Sequence, residues 1–265
     1  MKVIVIGPRG KMGRLITQIA AARDDMELVA GIAPKGRDYV GIDLGLAAMA
    51  GYELGVPVVD DLGCVIEKSD VIIDFSTKES AMSVLELAIE YKKGLVCGTT
   101  GFSEEEFELF KKASEKIPVL YAANTSKLVN VMNKLLEFAT SVIGEEADIE
   151  ILEMHDQWKK DAPSGTSKEM GEIIAHALGR ELKNVAIYGR EGEAPRVKGT
   201  IGYHSLRAGN IPSSHTVYFG CMGERLEITH HSYNWECFAR GACDCAAYLA
   251  DKGPGFYTIQ DVLGL

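Results

Sequence analysis

The feature that most constrains the fold is an alternation of short apolar runs with glycine-rich turns, beginning at the amino terminus. Lys2–Ile6 is rich in β-branched residues, which is typical of a buried parallel strand. Gly7, Gly10 and Gly13 follow, then apolar residues at helical spacing, then a second predicted strand over residues 26–32. Strand, glycine turn, helix and strand is the order that a dinucleotide-binding unit requires. The alternative is a glycine-rich turn without a ligand.

The residues after the second predicted strand bear on which nucleotide would bind. NAD-binding folds often place an acidic residue there, where it binds the ribose hydroxyls. This chain has no acid at that point and carries Lys35 and Arg37 instead. Two cations suit a 2′-phosphate, so the sequence favours NADPH over NADH. The alternative is that both are solvated loop charges.

Three further parallel strands are predicted over residues 71–75, 94–97 and 118–121. In an open parallel sheet, ligands bind outside the carboxyl ends of the strands. We therefore expect a single crevice, lined by the glycine turn and by the residues at these strand ends. Those residues are Phe75, Gly98, Thr99, Thr100, Ala123, Asn124 and Thr125.

The pattern changes after residue 126, which predicts two domains. A long amphipathic helix and a strand are followed by another helix and by three runs that suit antiparallel strands, over residues 196–205, 215–221 and 224–231. A last helix, near residues 235–249, is expected to return to the first domain. The predicted fold is α/β, with a Rossmann-like parallel-sheet domain over 1–126 and 235–265. An α+β domain for substrate binding and oligomerisation, with a mixed or antiparallel sheet, is predicted over 127–234.

The connection between the predicted strand at 149–152 and the next helix concentrates reactive side chains, among them His155 and Lys159. Loops between secondary-structure elements often carry catalytic and ligand-binding residues. Thr166 followed by Glu169 reads as a capping box, which predicts a helix start at Thr166. The amides at such a start form an anion site, close to a Lys that can pair with a carboxylate and a His that can move a proton. The alternative is a polar loop with an ordinary helix cap.

Composition excludes several other classes. The net charge of −10 argues against a nucleic-acid backbone as partner. The six cysteines are scattered and form no CxxC pair, so reduced thiols in a cytoplasmic protein are expected. No His, Cys and Asp spacing matches a zinc site, and His215, His230 and His231 are predicted to be hydrogen-bonded sheet residues. No signal peptide or membrane-spanning run is predicted.

Several motifs, spread over essentially the whole chain, together resemble one known family. The Lys-x-Asp-Ala-Pro-Ser-Gly-Thr string over residues 159–166 is the most specific of them. The others include the glycine turn, Asp74-Phe75-Ser76, residues 98–102, Ala122-Ala123-Asn124, Glu153-x-His155 and residues 223–230. In these motifs the chain resembles the 4-hydroxy-tetrahydrodipicolinate reductase (dihydrodipicolinate reductase) family.

The resemblance implies reduction of a cyclic dicarboxylic imine, or its hydroxylated precursor, by NAD(P)H in bacterial lysine and diaminopimelate synthesis. It also implies a homotetramer built on the sheet of the second domain. By position, His155 matches the family's proton donor and acceptor, and Lys159 its second donor. Gly165 and Thr166 match residues that bind a substrate carboxylate. Residues matching cofactor contacts are Gly7, Arg9, Gly10, Lys11, Met12, Gly98, Thr99, Thr100, Ala122, Ala123, Asn124 and Thr125.

The chain departs from the family pattern around the substrate. Asp156 stands where the family usually has a second, substrate-contacting His, and Thr125 stands where it often has an aromatic residue. An ionised Asp beside a carboxylate would repel it, so either Asp156 points away or the substrate differs on that side. Two alternative functions follow. One is a related reductase for a different cyclic imine, and the other is a non-catalytic NAD(P)-binding sensor.

Overall fold

The computed structural model describes residues 1–265 and divides the chain into two compact units. The first unit comprises Met1–Lys127 and Trp235–Leu265, and the second comprises Leu128–Asn234. Nucleotide binding by the first unit and substrate binding by the second remain predictions. None of the helices is both long and apolar enough to cross a membrane.

The first unit is built on a seven-stranded sheet in the order β12-β6-β5-β4-β1-β2-β3, and all of its strand pairs are parallel. Strand order runs outward in one direction from β1 to β3 and in the other from β4 to β6. The switch point therefore lies between β1 and β4, where ligands bind in sheets of this kind. The strands are β1 (Lys2–Ile6), β2 (Glu27–Ile32), β3 (Val58–Val59), β4 (Val71–Asp74), β5 (Gly94–Cys97), β6 (Pro118–Tyr121) and β12 (Gly255–Tyr257).

Both faces of this sheet are buried, because successive residues of a strand point to opposite sides. On β1, Val3 and Val5 pack in one apolar cluster with α1 (Lys11–Ala21) and α8 (Glu236–Leu249). Ile4 and Ile6 pack in the other cluster, with α3 (Lys78–Tyr91) and α4 (Glu104–Ala113). The smaller helices of this unit are α2 (Leu44–Ala47), a 3₁₀ turn (Ile66–Lys68) and α9 (Ile259–Leu263).

The second unit contains a five-stranded mixed sheet in the order β11-β10-β7-β9-β8. The β7, β9 and β8 strands are mutually parallel, whereas β10 runs antiparallel to β7 and β11. One face packs against two helices, with Leu136, Ile174, Ile151 and Val217 in the shared core. The elements are α5 (Lys127–Ile143), β7 (Asp148–His155), α6 (Gly165–Ala177), α7 (Leu182–Val185), β8 (Ala186–Tyr188), β9 (Ile201–Arg207), β10 (Ser213–Cys221) and β11 (Glu224–Ser232).

The predicted fold class is confirmed, including the mixed sheet of the second unit. Two local predictions are wrong. His155 lies not in the connection after the strand, as the sequence predicts, but at the last residue of β7, because the strand pairs with β9 up to that position. The predicted strand at 196–205 starts only at Ile201, and it pairs in parallel rather than antiparallel fashion with β7 and β8.

Candidate active site

The glycine turn after β1 is held in a tight backbone arrangement. Gly7 has φ +65°, which favours glycine, and its N–H donates to the Ile32 carbonyl at 2.8 Å. The Gly10 N–H donates back to the Gly7 carbonyl at 2.9 Å. A Cβ on Gly13 would lie only 2.1 Å from the Gly7 carbonyl oxygen, so the turn lies directly against the first helical turn.

The start of α1 can receive an anion. The helix begins at Lys11, its N-cap is Gly10, and no side chain accepts a hydrogen bond from its first turn. Backbone N–H groups at such a start have no partner within the helix, and the helix dipole adds partial positive charge. A glycine cradle ahead of an uncapped helix start fits the pyrophosphate of a dinucleotide, so the residues present fit this cofactor.

Three of the four predicted cationic residues, Arg9, Lys35 and Arg37, lie on or against the loop after β2. Arg9 pairs with Asp38 at 2.9 Å, and its guanidinium lies 5.0 Å from the centre of the Tyr39 ring. Lys35 and Arg37 are exposed on the same loop and form no ion pair. The Lys11 ammonium lies 4.2 Å from the Trp235 ring centre. Arg9 is therefore anchored to the loop, while Lys35 and Arg37 remain available to a phosphate.

Phe75 and Gly98 follow neighbouring strands and contact each other. A Cβ on Gly98 would lie 2.0 Å from the Phe75 ring, so the ring covers the backbone at Gly98. The preceding residue, Asp74, is fully buried and accepts a hydrogen bond from the Ser76 N–H at 2.8 Å. Burial raises the pKa of Asp74 to about 6.

The other residues predicted to contact the cofactor differ in burial and in hydrogen bonding. Thr100 and Ala123 are exposed, whereas Thr99 and Ala122 are buried. The Asn124 side chain accepts from the Ser126 N–H at 2.9 Å, in a local turn. The Thr125 hydroxyl donates to the Phe238 carbonyl at 2.7 Å, which ties the end of β6 to α8. The hydroxyl of Thr125 therefore serves the packing of the unit.

Strand alternation places two polar residues of the second unit on one face of β7. Ile149 and Ile151 fill the core, and Glu153 and His155 continue the same face to the end of the strand. His155 Nδ1 hydrogen-bonds to the Glu153 carboxylate. Arg207, opposite His155 on β9, donates through both Nη atoms to the two Glu153 oxygens, each at 2.9 Å.

The Glu153 carboxylate is charged in this setting. Burial by itself would raise its pKa, but the hydrogen bonds from His155 and Arg207 outweigh burial and lower the pKa to about 2. Glu153 is only 1% exposed, so its charge is balanced by these two partners rather than by water.

His215 joins this group from β10, where it lies opposite Glu153 in the sheet. Its ring meets that of His155 edge to face, with centres 5.2 Å apart. Nε2 lies 3.1 Å from the Ser164 hydroxyl and Nδ1 lies 3.3 Å from the Ser213 hydroxyl, which confirms the prediction of a hydrogen-bonded sheet residue. Burial, and then the neighbouring His155, lower the pKa of His215 to about 3, so this imidazole is neutral.

The predicted helix start at Thr166 is wrong. Helix α6 begins at Gly165, and its N-cap is Ser164, whose hydroxyl accepts from the Ser167 N–H at 3.1 Å. Serine is a favoured N-cap, and Ser164 is in addition buried and hydrogen-bonded to His215, a contact that the local sequence does not show. Gly165 and Thr166 are thus the first two helical residues, so the anion site predicted for them keeps its location.

The loop between His155 and this helix is organised by its own side chains. Asp156 Oδ1 accepts from the Trp158 N–H at 2.9 Å, so the carboxylate is turned to its own backbone. Lys159 pairs with Asp161 at 2.8 Å and is partly exposed. Trp158 is 68% exposed.

The structure thus brings the predicted residues together in two groups, one in each unit. No role was predicted for Glu153 alone, for Arg207 or for the link from His215 to Ser164. The Glu-x-His spacing was a usable signal, since residues two apart on a strand share a face. Among the described residues, no group of His, Cys, Asp and Glu is arranged to hold a metal ion.

Comparisons with known proteins match this chain over nearly its full length. The family model for the amino-terminal part of dihydrodipicolinate reductase matches residues 1–125, and the model for its carboxyl-terminal part matches residues 128–263. A 4-hydroxy-tetrahydrodipicolinate reductase of Hahella chejuensis is 42% identical, covering 100% of this chain and 99% of that protein. Another, from Syntrophus aciditrophicus, is 43% identical and is covered over 98% of its length.

A solved structure supports the same assignment. The dipicolinate-bound dihydrodipicolinate reductase of Paenisporosarcina sp. TG-14 superimposes with a TM-score of 0.76 at 26% identity, covering 97% of each chain. Fold, motifs and full-length relatives therefore agree. The chain belongs to the dihydrodipicolinate reductase family of pyridine-nucleotide-dependent oxidoreductases.

Proposed function

We propose that this protein reduces 4-hydroxy-tetrahydrodipicolinate to tetrahydrodipicolinate, in lysine and diaminopimelate synthesis. The observation that carries the proposal is the full-length identity of 42–43% to proteins of that activity, which favours it over the two alternative functions. In the overall reaction one hydride and one proton are added and one water leaves. A bound pyridine nucleotide supplies the hydride and becomes oxidised.

In this proposal the second unit supplies protons and holds the substrate. His155 and Lys159 donate the proton that the reduction consumes, as a positioned imidazole and ammonium can. Gly165 and Thr166, at the start of α6, bind one carboxylate through backbone N–H groups and the helix dipole. Lys159 attracts the dianionic substrate. Two anchors fix the orientation of the ring, which lowers the entropic part of the barrier.

The assay that tests the function follows loss of the reduced nicotinamide absorbance with freshly prepared 4-hydroxy-tetrahydrodipicolinate. Lys159→Ala is expected to lower turnover by about 10²–10⁴-fold while cofactor affinity is kept. Lys198→Ala, an exposed lysine of the same unit, makes the same charge change as a control. Absence of turnover in the wild type despite tight nucleotide binding would favour a different cyclic imine, and no turnover with any imine would favour a sensor.

We further propose that NADPH is preferred to NADH. The support is the pair of exposed, unpaired cations Lys35 and Arg37 after β2, without an acid for the ribose. The double variant Lys35→Ala/Arg37→Ala is expected to weaken NADPH binding by about 10–100-fold, the loss of two exposed charge-assisted contacts, and to leave NADH binding unchanged. Lys112→Ala/Lys116→Ala, on the exposed surface of the same unit, is the charge-matched control. Equal losses for both nucleotides would contradict the preference.

We also propose a cytoplasmic homotetramer, assembled through the sheet of the second unit. The helices pack on one face of this sheet, and the residues of β7 that point to the other face, Glu150, Leu152 and Met154, are only partly buried. The six free cysteines are compatible with a reducing compartment. Light scattering of the purified protein measures the assembly, and a monomer at assay concentration would contradict it. Cell fractionation tests the location.

A further inference from the structure

The side chain of Glu153 has no assigned role, although it is the most enclosed charge next to His155. It is 1% exposed and hydrogen-bonds to His155 Nδ1. A buried carboxylate is costly unless it is paired, so its presence at this position needs an explanation.

Arg207 explains how the charge is held. Its two Nη atoms donate to both Glu153 oxygens at 2.9 Å, the bidentate geometry that gives the strongest pairing. Nη2 also donates to the Asp161 carbonyl at 2.6 Å, which fixes the guanidinium against the loop that carries Lys159. Glu153 is therefore an acceptor for two fixed donors, and protonation of the carboxylate would break this arrangement.

An ionised carboxylate at Nδ1 selects one form of the imidazole. Because Glu153 can only accept, Nδ1 of His155 must carry a hydrogen, and Nε2 is left as the nitrogen that exchanges a proton. The other groups that face His155 do not compete for Nδ1. His215 is neutral and meets the ring edge to face, Arg207 is directed at Glu153, and Lys159 is paired with Asp161.

We propose that Glu153 is a positioning residue for proton transfer, and that it keeps His155 in the Nδ1-protonated form and stabilises the imidazolium when Nε2 also holds a proton. Arg207 acts indirectly, through Glu153, because it keeps the Glu153 carboxylate ionised and oriented. The inference rests on the proposed function, since it gives His155 a proton-transfer role. It adds Glu153 and Arg207, which lie outside the connecting loop, to the groups that support proton transfer.

The direct test is the tautomer of His155 in the full-length protein, read from ¹⁵N chemical shifts of the ring nitrogens after histidine labelling. Signals that disappear in His155→Asn identify the residue. The wild type is expected to show hydrogen on Nδ1. Glu153→Gln, which can present an amide N–H to the ring, is expected to shift the hydrogen to Nε2. Hydrogen on Nε2 in the wild type would overturn the inference without any variant.

Activity supplies the second readout. Glu153→Gln is expected to lower kcat by about 10²–10⁴-fold with little change in KM, as when a histidine is held in the wrong tautomer. Glu153→Asp keeps the charge and is expected to retain the Nδ1-protonated form and more activity than Glu153→Gln. Glu145→Gln removes a carboxylate from an exposed pair with Arg180 and serves as control. Folding of each variant is checked by thermal unfolding.

The outcomes separate this inference from the proposed function. Unchanged kcat in a folded Glu153→Gln would overturn the positioning role. If Glu153→Gln does not fold, the tautomer of His155 in the wild type and in Glu153→Asp still tests the positioning role. Loss of the Nδ1-protonated form in folded Glu153→Asp would contradict that role. If the wild type does not turn over the proposed substrate but shows the Nδ1-protonated form, only the function fails.

Discussion

Gly13 lies so close to Gly7 that a Cβ on Gly13 would stand 2.1 Å from the Gly7 carbonyl oxygen and 2.7 Å from its carbonyl carbon. Both atoms belong to the backbone, so they cannot rotate away as a side chain can. The contact holds the turn after β1 directly on the first turn of α1. The same contact shapes the cradle proposed for the cofactor.

Gly13→Ala is therefore expected to displace the turn. Overpacking of this kind costs about 1–3 kcal/mol of unfolding free energy, and we expect nucleotide binding to weaken as well, because the helix start moves. Gly253→Ala is a matched control, since a Cβ there meets nothing within 4 Å. Denaturant unfolding and nucleotide titration measure both effects. A Gly13→Ala protein as stable as Gly253→Ala would contradict the observed contact.

Gly98→Ala is expected to push the Phe75 ring out of its position, because a Cβ would lie 2.0 Å from that ring. The resulting loss of stability should depend on the presence of the Phe75 ring. In a Phe75→Ala background, Gly98→Ala should cost less, with a coupling of about 0.5–3 kcal/mol between the two sites. A double-mutant cycle of unfolding free energies measures this value. Additive losses would show that the ring is not the obstacle.

Asp74 is expected to make the protein less stable as pH rises. Its folded pKa of about 6 lies above the ordinary value of 3.8, so its protonated form is favoured in the folded state. Protonated Asp74 contributes to the free energy of unfolding at pH values below its ordinary pKa of 3.8, and this contribution is lost as the pH rises through about 6. The full difference is about 3 kcal/mol, at about 1.4 kcal/mol per pKa unit.

Asp74→Asn should remove this pH dependence while keeping an acceptor for the Ser76 N–H. The unfolding free energies of wild type and variant are compared at about pH 4 and about pH 7. The stability of the variant relative to the wild type should be greater at the higher pH. Asp24→Asn, at an exposed position, measures the contribution of net charge alone. Parallel pH curves for wild type and Asp74→Asn would be inconsistent with a raised pKa of the buried Asp74 carboxyl.

Ser164→Ala is expected to destabilise the second unit through two losses. The helix cap is worth about 1 kcal/mol, and leaving buried His215 Nε2 without its partner costs about 1–3 kcal/mol more. Ser103→Ala removes the exposed cap of α4 together with an exposed hydrogen bond to Glu105, and should show about the cap loss. The difference between the two variants in denaturant unfolding measures the buried hydrogen bonds that join the Ser164 hydroxyl to His215 and to the Ser167 hydroxyl. Equal losses would mean that these buried hydrogen bonds add nothing.

Much of the fold could be predicted because its signals are local. The β-branched run Lys2–Ile6, the strand at Gly94–Cys97 and the glycine turn carry their conformations in a few adjacent residues. Short or weakly patterned elements escaped prediction, among them β8, β12 and α9. These form because a neighbouring strand or helix offers hydrogen bonds and apolar surface, as β6 does for β12.

The sequence by itself determined the fold class, the family and the identity of the candidate proton donors, since each depends on residue types at short, readable spacings. Tertiary structure alone decided what surrounds His155. Arg207 lies 54 residues from Glu153 along the chain, and His215 lies 51 residues from Ser164. Pairing of β7 with β9 and β10 places Arg207 and His215 beside Glu153 and His155, and packing of α6 brings Ser164 to His215. These contacts join distant parts of the chain, so no short sequence pattern shows them.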